Sequence, residues 1–234
     1  FLFSLISMLT FTSVFADENI NVQNEESSQE VEEILVTANR TEQSINDVSQ
    51  AVQALSGDDL QDLQITDFEQ MIDLIPGAVQ NSSISQGSNV YSIRGVASAE
   101  TDGDATIGYY LDNFAFSLPG RPYAPVTDIY DTERVEVLRG PSGTLYGLGS
   151  LGGTIKVITK DPVIGEFEGS FKATLADIDD GDSSHTGDLM LNIPLSENAA
   201  LRGVLSIKDI GGWAEIIPSN QTNGNPYDGI TGRL

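Results

Sequence analysis

Six residues of the sequence spell a pattern that binds dinucleotides in other proteins. Residues 147–152 read Gly-x-Gly-x-x-Gly, which holds a pyrophosphate only where a strand precedes it and a helix follows. The next residues, 153–159, are rich in β-branched side chains and predict a strand instead. No acidic partner for a ribose follows in a second parallel unit. We therefore expect no bound nucleotide, and we expect these glycines to supply positive φ angles and close packing in a tight loop.

An acidic loop and the single histidine are the other candidates for chemistry. Residues 177–182 (DIDDGD) resemble a calcium-binding loop, but Gly181 stands where an acidic ligand is needed and no glutamate closes the loop. A solvated surface loop is the simpler interpretation, and weak binding of a divalent cation stays open. His185 is predicted in the same loop, without partners for a catalytic triad. The sequence thus predicts no catalytic residue, no metal centre and no cofactor.

The composition excludes further classes of function. The 234 residues include no cysteine, and 11 Lys+Arg against 35 Asp+Glu give a net charge of −24. A disulfide framework, a thiolate metal site and a cysteine nucleophile are therefore excluded. So acidic a chain repels phosphate backbones, which excludes nucleic-acid binding through a basic face. The sequence is nevertheless 39% hydrophobic, enough for a packed core.

The first 49 residues predict export followed by a tether. Residues 1–16 are mostly apolar, carry no charge and end in Val14-Phe15-Ala16, a small-x-small cleavage pattern, so we expect a secretory signal peptide. A buried strand or a membrane anchor is the alternative. Because the sequence opens without Met and without the usual basic start, we expect a truncated N-terminus. Residues 17–49 are predicted to be an acidic tether containing a short β-prone run at 33–38.

Residues 50–162 predict a small α+β domain. A capping box, Thr66 with Glu69, predicts the start of a helix that ends at Pro76-Gly77. The apolar face of that helix comprises Phe68, Met71, Ile72 and Ile75. A shorter helix is predicted at 58–63, and strands are predicted at 50–55, 91–96, 106–111, 134–138 and 154–159.

From residue 163 onward, apolar and polar side chains alternate. The alternation covers 166–176, 187–195 and 200–208, and it is typical of an outer-membrane barrel with lipid on one face and the lumen on the other. An antiparallel sandwich with one solvated face is the alternative. Since closed bacterial barrels start at about eight strands, we expect the protein to continue beyond Leu234.

Three segments together resemble the plug domain of TonB-dependent outer-membrane receptors. Residues 34–40 (ILVTANR) resemble the TonB box, 91–95 (YSIRG) match the Ile-Arg-Gly motif, and 133–160 follow the closing motif of the plug. The resemblance covers 33–160. We therefore predict an α+β plug domain followed by the antiparallel β strands of a truncated transmembrane β-barrel. The predicted parts are a signal peptide (1–16), a tether (17–49) with the TonB box at 33–38, the plug (50–162) and about three barrel strands (163–234).

This resemblance implies a transporter rather than an enzyme. It implies active uptake of a scarce solute, most commonly a ferric siderophore, by a monomeric barrel in outer-membrane lipid, with the TonB box facing the periplasm. An extended apolar segment can add as a strand to a partner's sheet, and the partner implied here is TonB. The residues predicted to bind TonB are Ile34, Leu35, Val36, Thr37 and Ala38. One alternative is that residues 34–38 form only the first strand of the plug. For the whole chain, the alternatives are an exported acidic binding or adhesion protein without transport, and an exported hydrolase, which the missing nucleophile–base pair opposes.

The resemblance also assigns roles to residues within the plug. Arg94 and Arg139 each precede a glycine at a predicted strand end, and a guanidinium inside a barrel needs a carboxylate partner. The family implies glutamates on the barrel wall beyond Leu234, so we expect these arginines to latch the plug to the wall; unpartnered surface arginines are the alternative. The plug loops are expected to face the cargo, and core packing is the alternative for each aromatic. The predicted loop glycines are Gly95, Gly140, Gly147, Gly152 and Gly153, and the candidate cargo-facing aromatics are Tyr109, Tyr110, Phe114, Phe116 and Tyr123.

Overall fold

Strands dominate the part of the chain that the structure, a computed structural model, describes. The described residues are 34–38, 40–65, 68–83, 89–98, 103–117, 120–121, 123–124, 128–147, 149–177, 182–212, 214–216, 221–224 and 227–234. They contain three short α-helices: Gly57–Asp62 (α1), Phe68–Ile72 (α2) and Gly143–Tyr146 (α3). Their strands are Leu35–Val36 (β1), Gln43–Ser44 (β2), Ala51–Ser56 (β3), Ala78–Ser83 (β4), Asn89–Ile93 (β5), Val96–Ala97 (β6), Ile107–Leu111 (β7), Phe114–Ala115 (β8), Thr132–Arg139 (β9), Gly153–Thr159 (β10), Glu168–Ala176 (β11), Ser184–Ser196 (β12), Ala199–Ile210 (β13), Ala214–Ile216 (β14), Gln221–Gly224 (β15) and Tyr227–Arg233 (β16).

A five-stranded mixed sheet is the centre of the α+β part. Its strand order is β3-β9-β10-β7-β8; β10 pairs parallel with β7 and antiparallel with β9. The runs of β-branched residues in β9 and β10 favour strands, and they lie at the centre of the sheet, where Val135, Val137, Ile155 and Val157 are buried. The strands predicted at 50–55, 106–111, 134–138 and 154–159 are confirmed.

Two helices cover one face of this sheet. The Ser56 hydroxyl accepts a hydrogen bond from the Asp59 N–H at 3.0 Å and caps α1. In α2, Phe68 packs against the rings of Tyr91 and Tyr109, with centroids 5.6 and 6.1 Å away. The predicted apolar face of α2 is buried, although Ile75 lies beyond the end of the helix. Thr66 of the predicted capping box lies outside the described residues.

The strand predicted at 91–96 is interrupted in the structure. β5 ends at Ile93, and the chain then turns through Arg94 (φ 53°) and Gly95 (φ 78°) before β6 begins. β4, β5 and β6 form a separate three-stranded antiparallel sheet. The interruption follows from the turn at Arg94-Gly95, which brings β6 back along β5 so that Ile93 pairs with Val96.

A four-stranded antiparallel sheet of order β11-β12-β13-β16 follows. The alternation predicted for 166–176, 187–195 and 200–208 is confirmed: one face carries exposed apolar side chains such as Phe171, Leu205 and Ile230, and the other buries polar ones such as Asn192 and Ser206. The fourth strand, β16, was not identified from the sequence. A further hairpin pairs β14 with β15. No helix of the described ranges has the length and apolar character needed to cross a bilayer.

His185 lies in a strand, which corrects its predicted position in a loop. It belongs to β12, where it pairs with Leu175 of β11 and Asp209 of β13. The sheet extends to Ser184 because β11 and β12 continue their pairing through Ala176. Residues 178–181 of the acidic loop lie outside the described residues. Among the residues that the structure does describe, no group of three His, Cys, Asp or Glu side chains could hold a metal ion.

Candidate functional site

Residues 34–38, which we call the docked segment, lie against the five-stranded sheet. Leu35 and Val36 pair with Ser44 and Gln43, and the Ile45 N–H donates to the Ile34 carbonyl at 2.9 Å. Burial increases along this segment: Ile34 and Leu35 are 49% and 42% exposed, whereas Val36 and Ala38 are fully buried. The docked segment thus contains a short strand, and Val36 and Ala38 are its buried apolar side chains.

A small second core receives the docked segment. Val36 and Ala38 pack with Tyr110 of β7, Leu138 of β9 and Tyr146 of α3. This cluster is distinct from the larger core that contains Phe68, Tyr109 and Val135. Both faces of the five-stranded sheet are therefore covered, one by the helices and the other by the docked segment.

Thr37 links the docked segment to a pair of buried charges. Its N–H donates to Glu136 Oε1 at 2.8 Å, and its hydroxyl lies 3.1–3.2 Å from the two carboxylate oxygens. Lys156 Nζ donates to the same hydroxyl at 2.5 Å. Glu136 and Lys156 are directly opposite each other in β9 and β10, and both are almost fully buried. Arg134 Nε also donates to Glu136 Oε1, at 2.8 Å.

The charge of Glu136 matters because Lys156 is buried. Burial is the largest influence on the Lys156 ammonium and lowers its pKa below the ordinary value. The Glu136 carboxylate acts in the opposite direction and favours the charged ammonium. Thr37 completes this network, so withdrawing the docked segment removes hydrogen-bond partners from both buried charges.

Tyr146 holds the carbonyl groups of the docked segment. Its hydroxyl donates to the carbonyl oxygens of Ala38 at 2.9 Å and Thr37 at 3.2 Å. Burial, together with the nearby charge of Glu136, raises the pKa of Tyr146 to about 12, so the hydroxyl keeps its proton at neutral pH. The Arg40 guanidinium lies over the ring, 5.4 Å from its centroid, and the Tyr110 hydroxyl donates to the Tyr146 carbonyl at 2.5 Å.

Two of the aromatics predicted to face cargo belong to the core instead. Tyr109 and Tyr110 are 3% and 9% exposed, because β7 is covered on both faces and successive side chains point into the two cores. The prediction of cargo contact is wrong for these two residues. Phe114 and Phe116 are exposed, and Tyr123 is half-buried.

Arg94 and Arg139 lie close together at one end of β9. A Cβ placed on Gly140 would be 3.6 Å from Arg94 Nη1, and Arg139 Nη1 donates to the Pro76 carbonyl at 3.4 Å. Arg139 Nε is buried without a hydrogen-bond partner. Within the described ranges, no carboxylate lies at ion-pair distance from either guanidinium. The carboxylate partners expected for Arg94 and Arg139 on the barrel wall stay a prediction.

Four of the five predicted loop glycines, Gly95, Gly140, Gly147 and Gly152, lie outside strands, whereas Gly153 is the first residue of β10, which corrects its predicted position in a loop. Gly95, Gly140 and Gly147 have φ angles of 78°, 115° and 72°. A Cβ on Gly152 or Gly153 would come within 3.0 Å or less of neighbouring atoms. The Gly-x-Gly-x-x-Gly pattern precedes β10 rather than a helix, so the structural context of a dinucleotide loop is missing here.

Comparison with known proteins decides the identity of the α+β part. Residues 44–154 match the family described as TonB-dependent Receptor Plug Domain. This chain carries a TonB-dependent receptor plug domain. The match begins in β2 and ends in β10, so the docked segment lies just before the matched residues. The antiparallel strands β11, β12, β13 and β16 follow the plug domain.

Curated relatives of the chain are receptors and transporters. The pesticin receptor of Yersinia pestis is 32% identical over 145 residues, which are 60% of this chain and 21% of the relative. The metal-pseudopaline receptor CntO of Pseudomonas aeruginosa is 31% identical over 181 residues, 76% of this chain and 23% of the relative. The vitamin B12 transporter BtuB of Photobacterium profundum is 31% identical over 144 residues, which are 58% of this chain and 21% of the relative. The chain thus spans about a fifth of the length of these relatives.

Solved structures share the fold of the plug and the strands that follow it. The ferripyoverdine receptor of the Pseudomonas aeruginosa outer membrane, bound to ferripyoverdine, superposes with a TM-score of 0.61 at 24% identity, covering 75% of this chain and 22% of that one. The FpvAI–pyocin S2 complex gives a TM-score of 0.64 at 24% identity, covering 77% of this chain and 23% of that one. The predicted fold class, an α+β plug domain followed by antiparallel strands, is confirmed.

Proposed function

We propose that this chain is the plug and first wall strands of an outer-membrane transporter that takes up a scarce solute with energy from TonB. The observation that carries the proposal is a plug domain followed directly by strands with one apolar face. The relatives that support it are named as receptors for metal-pseudopaline and pesticin and as a vitamin B12 transporter. Among possible cargoes we favour a ferric siderophore complex.

The four-stranded sheet supports an outer-membrane location. Its exposed face carries large apolar side chains on every strand, while the opposite face carries Arg202, Lys208 and Asp188. In water such an exposed apolar face would promote aggregation, whereas contact with lipid is favourable for it. We therefore assign the apolar face to outer-membrane lipid and the polar face to the lumen that holds the plug, in a monomeric barrel.

The docked segment is our candidate for the TonB box. Strand addition to TonB needs the backbone and both faces of residues 34–38, yet Val36 and Ala38 are buried against Tyr110 and Tyr146. TonB can therefore bind this segment only after it leaves the plug. Ile34 and Leu35 are exposed in the docked state and offer the first point of contact.

Replacing Val36 by Pro should reduce TonB-dependent uptake to the background of a strain without TonB. Proline removes the backbone N–H that strand addition needs, so cross-linking of the receptor to TonB should disappear as well. Binding of a radiolabelled ferric siderophore to whole cells should be unchanged, because the cargo side of the plug is not altered. Uptake and surface binding of that siderophore are the two measurements.

Val36→Thr is the matched control for this experiment. Threonine has the shape of valine and keeps the N–H, so uptake should stay far above background. Undiminished uptake by Val36→Pro would remove the assignment of residues 34–38 as the TonB box.

Arg94 and Arg139 are proposed to bind carboxylates of the barrel wall. The buried, unpartnered Nε of Arg139 supports this role, because a buried donor without a hydrogen-bond partner is unfavourable. Replacing both arginines by Gln should loosen the plug and raise the permeability of cells to a large antibiotic several-fold. Arg121→Gln, an exposed position, is the control. Unchanged permeability with normal receptor levels would contradict the latch.

The cargo side of the plug is proposed to include Phe114 and Phe116. Phe114 is 79% exposed at the β7–β8 hairpin, which is unusual for a large apolar ring. Tyr123 is half-buried. Exposed aromatic rings suit a bulky amphipathic solute such as a siderophore complex.

A further inference from the structure

An acidic turn of the plug, residues 128–131, lies against the four-stranded sheet. Asp131 and Arg202 of β13 form a two-pronged ion pair, with Nε–Oδ2 and Nη2–Oδ1 distances of 2.8 and 2.6 Å. The two side chains are 7% and 8% exposed. Arg202 Nη1 also donates to Glu168 of β11 at 3.0 Å. This fork geometry is the strongest form of an arginine–carboxylate contact.

Two more cations of the sheet meet the same turn. Lys208 Nζ of β13 lies 3.4 Å from Asp128 Oδ2. Arg233 Nη2 of β16 donates to the carbonyl oxygen of Tyr130, and the Tyr130 hydroxyl lies 2.7 Å from Ser170 Oγ of β11. Three separate strands of the sheet therefore contact one turn of the plug. The contacts involve both side chains and backbone, so the turn is fixed in position and orientation.

The distribution of charge makes this turn unusual. Only 11 of the 234 residues are Lys or Arg, against 35 acidic ones. Three of those 11 cations, Arg202, Lys208 and Arg233, lie at the acidic turn. Here the few cations of the sheet are concentrated where the plug presents Asp128 and Asp131.

We propose that the acidic turn is a clamp that seats the plug on the first strands of the barrel wall, and that Asp131 is its main positioning residue. This inference rests on the proposed function, because it takes the four-stranded sheet as part of the wall. Its polarity is the reverse of the arginine latch, since the carboxylates belong to the plug and the cations to the wall. The clamp lies directly before β9, a central strand of the plug sheet, whereas the docked segment leads to β3 at the sheet edge. Once Thr37 has left Glu136 and Lys156, a pull on the docked segment is passed along the chain to β3, while the clamp holds the turn before β9.

The test measures leakage through the full-length receptor in cells without TonB, so that it does not depend on transport. Asp131→Asn keeps the shape of the side chain and removes its charge, leaving the buried Arg202 with Glu168 as its remaining carboxylate partner. Permeability to a large antibiotic should rise about tenfold, the factor by which a seating equilibrium changes for each 1.4 kcal/mol lost. Glu197→Gln, at the exposed β12–β13 turn, should leave permeability unchanged.

A double-mutant cycle separates the clamp from a general loss of structure. Arg202→Gln alone should leak, Arg202→Lys should leak less because it keeps the charge, and Asp131→Asn with Arg202→Gln should leak less than the product of the two single effects. The clamp would be overturned if the effects of Asp131→Asn and Arg202→Gln on permeability multiplied independently in the double variant. It would also be overturned if cells with a normal level of the Asp131→Asn receptor had normal permeability. Should both single variants fail to reach the outer membrane, assembly of the double variant supports the clamp and its failure contradicts it. If these results contradict the clamp while Val36→Pro still blocks uptake, the proposed function remains supported.

Discussion

Replacing Glu136 by Ala should release the docked segment and destabilise the plug by about 3–5 kcal/mol, the usual cost of breaking a buried ion pair. The substitution removes the acceptor of the Thr37 N–H and the carboxylate that faces Lys156 across β9 and β10. Lys156 and Arg134 would then be left as cations without this buried partner. Since Thr37 donates to Glu136 through both its backbone and its hydroxyl, the docked segment loses its main polar anchor.

Thiol labelling can measure this release directly. The sequence has no cysteine, so Val36→Cys introduces a single thiol into this part of the receptor. The thiol should react slowly with a maleimide in the otherwise unchanged receptor, because residue 36 is fully buried, and at least tenfold faster once Glu136→Ala is added. Glu133→Gln is the matched control, since this neighbouring carboxylate is 46% exposed and its pair with Arg134 contributes less than about 1 kcal/mol. Equal labelling rates with and without Glu136 would show that the carboxylate does not hold the segment.

Replacing Gly153 by Val should destabilise the plug by about 3 kcal/mol or more, because overpacking forces the backbone to move. Gly153 opens β10 between Arg139 of β9 and Ile107 of β7. A Cβ at this position would lie 2.5 Å from the Leu138 carbonyl oxygen and 3.0 Å from Ile93 Cδ1. The first of these atoms belongs to the backbone of β9, so a change of rotamer cannot relieve the clash.

The urea midpoint of plug unfolding in the purified receptor measures this effect. Gly143→Ala is the matched control, because a Cβ on Gly143 meets no atom within 4 Å and its φ is not positive. Alanine in the short helix α3 should change the stability by less than about 1 kcal/mol. A receptor that tolerates Gly153→Val as well as Gly143→Ala would contradict the packing at the start of β10.

Local pattern was sufficient to predict most of the strands. β-Branched runs located β9 and β10, and alternation located β11, β12 and β13. β16 was missed because its sequence, YDGITGR, contains two glycines and few apolar residues, so its alternation is weak. The break after Ile93 was missed because Arg94 adopts a positive φ, which is uncommon for a residue other than glycine.

The site was harder to predict because its partners are far apart in the sequence. Thr37 contacts Glu136 and Lys156, which lie 99 and 119 residues away. Glu136 and Lys156 each interrupt a run of apolar strand residues, and that was the available signal for two buried charges. Tyr109 and Tyr110 were misplaced because a strand covered on both faces hides successive side chains, which alternation alone does not reveal. The acidic turn gave no signal, since Arg202 lies 71 residues after Asp131 and Arg233 lies 103 residues after Tyr130.

The long sequence separation of the Thr37 contacts has a consequence for biogenesis. The ribosome makes residue 37 well before residue 156, so the first part of the plug to be synthesised is among the last that can find its place. Joining the two ends closes a loop of more than a hundred residues, and the entropy of that closure slows the step. During this interval the apolar stretch ILV at 34–36 is exposed, and a chaperone that binds short apolar segments has the opportunity to bind it.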